Sequence, residues 1–338
     1  MGFEIKDGDR GAGKMRSLVT GAAGFIGSHL CEYLIEKGFD VVGIDNFMDY
    51  YPGSIKELNI SDLRKGRDFK FVEASLLDVD LARLLDGVDA VFHQAAQAGV
   101  RASWGQSFKI YTDNNILATQ MLLEACRENQ VKKFVYASSS SVYGDTTDLP
   151  MRESSLPRPV SPYGVSKLAG EHLCWLYFKN FGIPTVSLRY FTVYGARQRP
   201  DMAFHRFFKW ALEDKPLRVY GDGEQSRDFT YVHDIVEANW LALEKALPGE
   251  VFNIGGGSRI TLNGVIELIK EITCKELKVD YQAKQKGDVR HTMADMTKAR
   301  EKLEYKPKVS IKDGLQAEYE WVKYITKALG QGRTRIHE

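Results

Sequence analysis

Two short stretches carry residue types that could do chemistry. Residues 137–144, ASSSSVYG, put four consecutive hydroxyls (Ser138, Ser139, Ser140, Ser141) after an apolar run, and residues 161–167, SPYGVSK, set Tyr163 and Lys167 four apart. Residues at that spacing on a helix project from one face. A tyrosine working as a base near neutrality needs its pKa lowered from about 10 by about 3 units, or about 4 kcal/mol. A lysine ammonium one turn away and a cationic ring beside the phenol both stabilise the phenolate. The pair therefore suits proton abstraction from a hydroxyl during hydride transfer, although the same spacing also decorates helix surfaces. The serines read either as a polar loop or as one catalytic hydroxyl among bystanders.

A second constellation suits a dinucleotide. Residues 18–30, LVTGAAGFIGSHL, carry Gly21, Gly24 and Gly27 between a strand and a helix, with Phe25 and Ile26 opening the helix. Glycines there permit a tight turn, close approach to a pyrophosphate and close helix–strand packing, with the phosphate at the positive helix end; plain turn glycines are the alternative. Asp45, followed by Asn46, ends the next strand 18 residues after Gly27, where a carboxylate accepts from the adenosine ribose hydroxyls or serves as a turn residue. The nearest following cation is Lys56, so nothing obvious neutralises a 2′-phosphate, and NAD is expected over NADP. Past the strand FKFVEASL, Leu77 and Asp78 are expected at the same crevice, with Asp78 accepting from the adenine amino group or capping a helix. Ala95 and Ala96, after DAVFHQAA, are small enough to lie along the cofactor, and His93 is read as a packed histidine.

The elements that must hold these groups alternate. Runs RSLVTGA, DVVGID, FKFVEASL, DAVFHQAA, KKFVYASS and PTVSLRYF read as strands, and residues 25–37, 107–129 and 162–181 as helices. Such alternation gives an α/β, Rossmann-type doubly wound parallel sheet with helices on both faces. The expected division is a disordered tail at 1–14, with Met15 a candidate functional start, a dinucleotide-binding domain at 15–190, and a smaller C-terminal α/β substrate domain at 191–330 with return segments to the first; residues 330–338 read as frayed. Forty-six basic and 45 acidic residues, mixed along the chain, leave no footprint for nucleic acid or an anionic membrane. No run approaches the roughly 20 apolar residues of a membrane span. Cys31, Cys126, Cys174 and Cys274 lie far apart without metal-ligand spacing, which fits reduced thiols in the cytoplasm and no metal site.

Gly21/Gly24/Gly27, an aspartate after the second strand, serines ending a later strand and Tyr163-x-x-x-Lys167, in that order, resemble the extended short-chain dehydrogenase/reductase family, and within it the NAD-dependent nucleotide-sugar epimerases. The likeness spans roughly residues 16–325. It implies NAD as cofactor, Tyr163 as base, Lys167 as its partner and ribose ligand, Tyr190 at the cofactor, and Ser139 as the hydroxyl meeting the sugar 4-OH. In the related dehydratases the two positions after that hydroxyl resemble Asp-Glu, and in UDP-glucuronate decarboxylases the second resembles Glu; here they are Ser140 and Ser141. The resemblance thus implies epimerisation: C4 oxidation, rotation of the 4-keto sugar about its pyrophosphate tether, and re-reduction from the other face.

For the substrate, the family likeness places Arg227 and Arg290 on the diphosphate and Asp288 on the uridine ribose, with structural ion pairs as the alternative. Residues 188–204, LRYFTVYGARQRPDMAF, resemble UDP-glucuronate 4-epimerases, where an arginine and small hydroxyls receive the C6 carboxylate. A carboxylate entering an apolar cleft needs such partners to offset its desolvation. Ser141, Thr192 and Arg199 are the candidates, against Arg197 and Arg199 as solvated loop residues. UDP-glucose or UDP-N-acetylglucosamine is the alternative substrate, and Thr292 is expected to leave extra room at the sugar. Surplus apolar residues on the helices near 107–129 and 162–181 suggest a homodimer, the arrangement of the matching pair in this family.

Overall fold

The computed structural model describes residues 13–332; the first twelve residues of the expected tail at 1–14, and residues 333–338, lie outside the described residues. Lys14, at the end of the expected tail, is tied to Asp40 at 2.9 Å and Asp68 at 2.6 Å. The helix Ile311–Gly332 runs into the segment read as frayed.

Apolar runs at alternating intervals make a seven-stranded parallel sheet. Its strands are β1 (Arg16–Thr20), β2 (Asp40–Asp45), β3 (Phe69–Glu73), β4 (Ala90–His93), β5 (Lys133–Ser139), β6 (Thr185–Tyr190) and Val251–Ile254. They are ordered Val251–Ile254, β6, β5, β4, β1, β2, β3. Parallel strands covered on both faces read as continuous hydrophobic sequence, and Leu18, Val19, Val91, Phe92, Phe134 and Val135 are fully buried. The chain winds outward from β1 to β3, then returns to place β4 on β1's other side. Connections diverge at that reversal, and a crevice opens beyond the strands' carboxyl ends. The ends of β1, β2, β4, β5 and β6 all meet it. Ser139 pairs with Tyr190 in register, so two expected site residues are neighbours by strand pairing alone.

The sheet reaches past residue 190 for its last strand, Val251–Ile254, which pairs with β6. Residues Val232, Ile235 and Val236 of the preceding helix Val232–Lys245 join the same core as Leu30 and Leu34 of helix α1 (Phe25–Glu36). A second core gathers Tyr194, Phe204, Phe207, Phe208, Val265 and Ile269 from the helices Ala203–Leu212 and Leu262–Thr273 and their flanks. Two small pairs border it: Leu217–Tyr220 parallel to Val279–Gln282, and Ser226–Asp228 antiparallel to Arg259–Thr261.

Candidate active site

The crevice, counted together with the open solvent at its mouth, spans about 1210 Å³. On its β1 side the glycines are dictated by contact. Gly21 has φ +68°, and a Cβ there would stand 2.9 Å from Ala95 Cα, across the reversal of strand order. A Cβ on Gly27 would lie 2.1 Å from Gly21 O, so only hydrogen fits. Gly24 is the N-cap of α1 and offers no side-chain cap. The first helical bond runs from Ser28 N to Gly24 O at 3.1 Å, which leaves the amides of Phe25, Ile26 and Gly27 at the positive helix end for an anion.

Asp45 closes the β2 end of the crevice. Its Oδ1 accepts from Phe47 N at 2.9 Å and Lys56 Nζ at 3.1 Å, and its Oδ2 from Ala23 N at 3.3 Å. A carboxylate has about four acceptor sites, so Oδ2 keeps capacity for a ribose hydroxyl. Asn46 lines the same rim, with Oδ1 accepting from Met48 N at 3.1 Å. Lys56, which the sequence reading set aside, is thus in the site.

After β3, Ser75, Leu76 and Leu77 line the crevice. Asp78 does not: it is exposed on the turn, its amide bonded to Ser75 O at 3.1 Å, because the turn beginning at Leu76 carries it away from the strand end. It is not the helix cap either; Asp80 caps the helix Leu81–Leu84. Ala95 and Ala96 lie along the crevice wall, and Ala95 N donates to Thr20 Oγ1 at 3.0 Å. The Tyr190 hydroxyl is fixed by Gln94 and by Asn239 Nδ2 at 2.7 Å. His93 is buried between the hydroxyls of Thr20 (2.8 Å) and Thr119 (2.9 Å), and burial, aided by the Lys167 charge, pushes its pKa down to about 3. The helix N-terminus with its unpaired amides, the cradle closed to any Cβ and the remaining acceptor capacity of Asp45 Oδ2 together fit a dinucleotide such as NAD.

Tyr163 and Lys167 enter at the start of the helix Pro162–Phe181. Ser161 caps it by accepting from Gly164 N at 3.1 Å, and Pro162 occupies its first position, where a missing N–H costs nothing. Both side chains line the crevice. Burial raises the Tyr163 pKa; a hydrogen bond from Ser139 and the charge of Arg199 oppose that rise. Ser139 Oγ also accepts from Ser141 N at 3.1 Å. Lys167 is buried, which pulls its pKa down to about 7 against the opposing influence of Cys174 and Glu171, and Nζ donates to Ala137 O at 2.8 Å. Ser139 and Arg199 thus favour the phenolate, and Lys167 lies one turn away on the same helix.

The serine run divides. Ser138, read as little more than a strand end, donates to Glu171, whose carboxylate is clamped by Arg189 at 2.8 and 2.7 Å. Ser140 and Ser141 form a half-buried turn, Ser140–Val142.

Arg199 lines the same crevice as Tyr163 and donates in bidentate fashion to Asp201, at 2.9 and 3.1 Å; Tyr50 Oη donates to the same carboxylate at 3.2 Å. Burial pushes the Asp201 carboxyl up, but the Arg199 charge together with the hydrogen bonds from Arg199 and Tyr50 outweighs it and holds the group below its usual range. Neither arginine of the loop is simply solvated. Arg199 is 20% exposed, and Arg197 is 16% exposed with Nη2 bonded to Glu32 at 2.6 Å.

A second cavity of about 740 Å³ brings together Thr192, Arg227, Asp288 and Arg290. Three carbonyls fix the Arg227 guanidinium: Ser226 O at 2.9 Å, Arg290 O at 3.1 Å and Val289 O at 2.7 Å. Burial lowers its pKa, and Asp288 and Asp145 counter that through space. Arg290 sits at the rim in a bidentate pair with Asp222. Asp288 is held by Arg101 at 2.7 and 3.2 Å, a residue the sequence reading passed over, whose guanidinium also lies 4.4 Å from the Tyr220 ring centre. Thr192 is therefore separated from Arg199 in lining terms. Thr292 lines neither cavity: it is buried, its hydroxyl accepting from Asp228 N at 3.3 Å, so the extra room expected there is absent.

The chain is similar to known proteins over most of its length. Residues 17–255 match the model of the NAD dependent epimerase/dehydratase family. A Bacillus subtilis (strain 168) protein named an uncharacterized UDP-glucose epimerase is 50% identical over 313 residues, 92% of this chain and 99% of its own. The UDP-glucuronate 4-epimerase of Thermodesulfobacterium geofontis is 39% identical over 310 residues, 90% of this chain and 95% of its own. The crystal structure of UDP-glucuronic acid 4-epimerase from Bacillus cereus, in complex with UDP-glucuronic acid and NAD, superposes with a TM-score of 0.90 at 49% identity, covering 92% of this chain and 100% of that one.

Proposed function

The chain belongs to the NAD dependent epimerase/dehydratase family, and we propose that it is the isomerase that interconverts UDP-glucuronate and UDP-galacturonate by inverting C4. The observation that carries the choice of sugar is the placement of Arg199 in the crevice beside Tyr163, where a guanidinium serves a substrate carboxylate. One carboxylate, Asp201, does not exhaust the five donors of an arginine. The B. cereus enzyme, similar along the whole chain, carries UDP-glucuronic acid and NAD.

NAD, when bound, supplies the hydride acceptor and donor. Tyr163 takes the proton of the C4 hydroxyl and later returns one, while Ser139 holds the hydroxyl and shares the phenol's charge. The charge of Arg199 favours the phenolate against the cost of burial. Lys167, its pKa near 7, is the positive neighbour on the same helix face. Thr192, Arg227, Asp288 and Arg290 hold the UDP portion in the second cavity, so the sugar is tethered while its ring turns. No acid at Ser140 or Ser141 diverts the 4-keto sugar to elimination.

UDP-glucose is the second reading, favoured by the name of the B. subtilis relative. Separate incubation with UDP-glucuronate, UDP-glucose and UDP-N-acetylglucosamine, with products identified by NMR, decides between them. UDP-galacturonate formation without net NADH supports the proposal; inversion of UDP-glucose alone, or release of carbon dioxide, overturns it.

The protein acts as a homodimer through the exposed apolar face of residues Leu117, Val165 and Leu176, 46–49% exposed on the two helical segments. Substituting Leu176 by Glu then yields monomer by light scattering, and an unchanged mass removes that face from the interface. Among the described residues no helix is long and apolar enough to cross a membrane. Three of the four cysteines are buried thiols and all four are free, which supports a reducing compartment, the cytoplasm.

A further inference from the structure

The ribose end of the crevice contains a buried ion pair whose two halves come from different elements. Asp45 ends β2, and Lys56 reaches it from the helix α2 (Gly53–Ile60), with 3.1 Å between Nζ and Oδ1 and side chains 6% and 8% exposed. The ammonium lies over the rings of Phe47 and Tyr51, at 5.6 and 5.4 Å, and Asp45 is the one hydrogen-bond acceptor for Nζ among the described residues. Packing therefore fixes a cation at the point where the carboxylate meets a ribose.

We propose that Lys56 is a masked phosphate ligand, and that the Asp45–Lys56 pair, rather than Asp45 alone, sets the preference for NAD over its 2′-phosphorylated form. Nζ is one hydrogen-bond length from the carboxylate, so a group held by Asp45 also lies beside Lys56. With both residues present their charges cancel. A ribose diol finds spare acceptor capacity on Oδ2, beside its bond from Ala23 N, whereas a 2′-phosphate dianion meets a carboxylate in a poorly solvated corner, and like charges there repel strongly. The lysine relieves that repulsion only in part, because its ammonium is held on Oδ1 and not on the Oδ2 that meets the ribose. Removing only the carboxylate's charge leaves a buried, unpaired ammonium, and such a group demands a counter-anion. The 2′-phosphate is an anion of suitable size at that position. Removing only the lysine leaves Asp45 without its orienting partner and creates no phosphate ligand. The inference concerns the cofactor and holds whichever sugar is turned over.

The test is calorimetric binding of NAD and of NADP to the full-length protein freed of nucleotide, for wild type, Asp45→Asn, Lys56→Met and the double variant. Thermal melting of each confirms that it is folded. In wild type NAD binds more tightly. Asp45→Asn shifts the NADP/NAD affinity ratio toward NADP by about 100-fold or more, equal to about 2.7 kcal/mol. Lys56→Met weakens NAD without gaining NADP, and the double variant loses the NADP gain. If Asp45→Asn does not melt cooperatively, Asp45→Ser is read in its place by the same criteria. An unchanged ratio after removal of the carboxylate overturns the proposal, as does an NADP gain that survives Lys56→Met.

Discussion

Replacing Arg199 by glutamine separates two things the guanidinium does. It lies on the crevice with Tyr163, and its charge opposes the burial that raises the tyrosine's pKa. By the proposed function it also receives the substrate carboxylate. A hydrogen bond to a charged group contributes about 1.5–3 kcal/mol, and more is lost when the partner is left desolvated. Two such bonds lost from UDP-glucuronate remove about 3–5 kcal/mol of transition-state binding. At 1.36 kcal/mol per factor of ten, kcat/KM for the acidic sugar falls about 10²- to 10⁴-fold. UDP-glucose has no carboxylate and loses only the help given to Tyr163, about tenfold. The substitution also strips Asp201 of its bidentate partner, so part of any loss is structural. Measuring both substrates on one preparation removes that ambiguity, because a smaller folded fraction lowers both rates equally and cancels in their ratio. Pairing the change with Asp201→Asn provides a second control, since it restores neutrality at the loop. The assay is the initial rate of C4 inversion by NMR at several concentrations of each sugar. A ratio of the two kcat/KM values that stays at its wild-type value refutes the carboxylate role of Arg199.

Other perturbations test neighbouring parts of the site. Tyr163→Phe lowers kcat about 10²- to 10⁴-fold while calorimetric binding of the UDP-sugar is retained; near-normal turnover would remove Tyr163 as the base. Gly27→Ala drives a Cβ to 2.1 Å from Gly21 O, so both NAD affinity by calorimetry and melting temperature fall, and a normal NAD titration would show the turn to be more yielding than its contacts imply. His93 is neutral in the fold, its pKa pushed from about 6.5 to about 3. Below pH 6.5 the unfolded chain binds a proton that the fold refuses, so stability is lost as pH falls from 6.5 toward 3, by on the order of 5 kcal/mol. Urea unfolding of His93→Gln between pH 7 and 4 should show a flatter loss than wild type; parallel curves would assign the acid sensitivity elsewhere.

What the sequence disclosed depended on how local each signal was. The strands β1 to β6 and the helices at 25–36 and 162–181 were legible because strands buried on both faces leave continuous apolar runs, and caps such as Ser161-Pro162 sit beside their helices. The elements after residue 190 were not, since pairs such as Thr230–Tyr231 with Val193–Tyr194 are two residues long and come from segments far apart. The site shows the same contrast. The glycines, Tyr163 and Lys167 were found by spacing within one turn of chain. Arg101 meets Asp288 across 187 residues and Tyr50 meets Asp201 across 151, and no local pattern announces either contact. Asp78 failed for a subtler reason: a single turn, starting at Leu76, decides which side chain after β3 faces the crevice.

The serine run shows how much a pairing can change a chemical inference drawn from residue types. The absence of an acid at Ser140 and Ser141 argued for epimerisation over elimination, yet a carboxylate does touch the run: Glu171 accepts from the Ser138 hydroxyl. That carboxylate would weaken the argument if it were free to move a proton. It is not free, because Arg189 binds it through Nε and Nη2, and Arg189 is itself fixed by the Tyr143 hydroxyl at 2.8 Å, which in turn donates to Asn253 at 2.7 Å. A carboxylate in a bidentate pair buried to 5% exposure on both sides is held in place. Its role is to anchor the end of β5, so that Ser139, one residue on, meets Tyr163 at a fixed position. In the proposed mechanism, the network under the serines therefore positions the Ser139 hydroxyl and leaves proton transfer to the phenol alone.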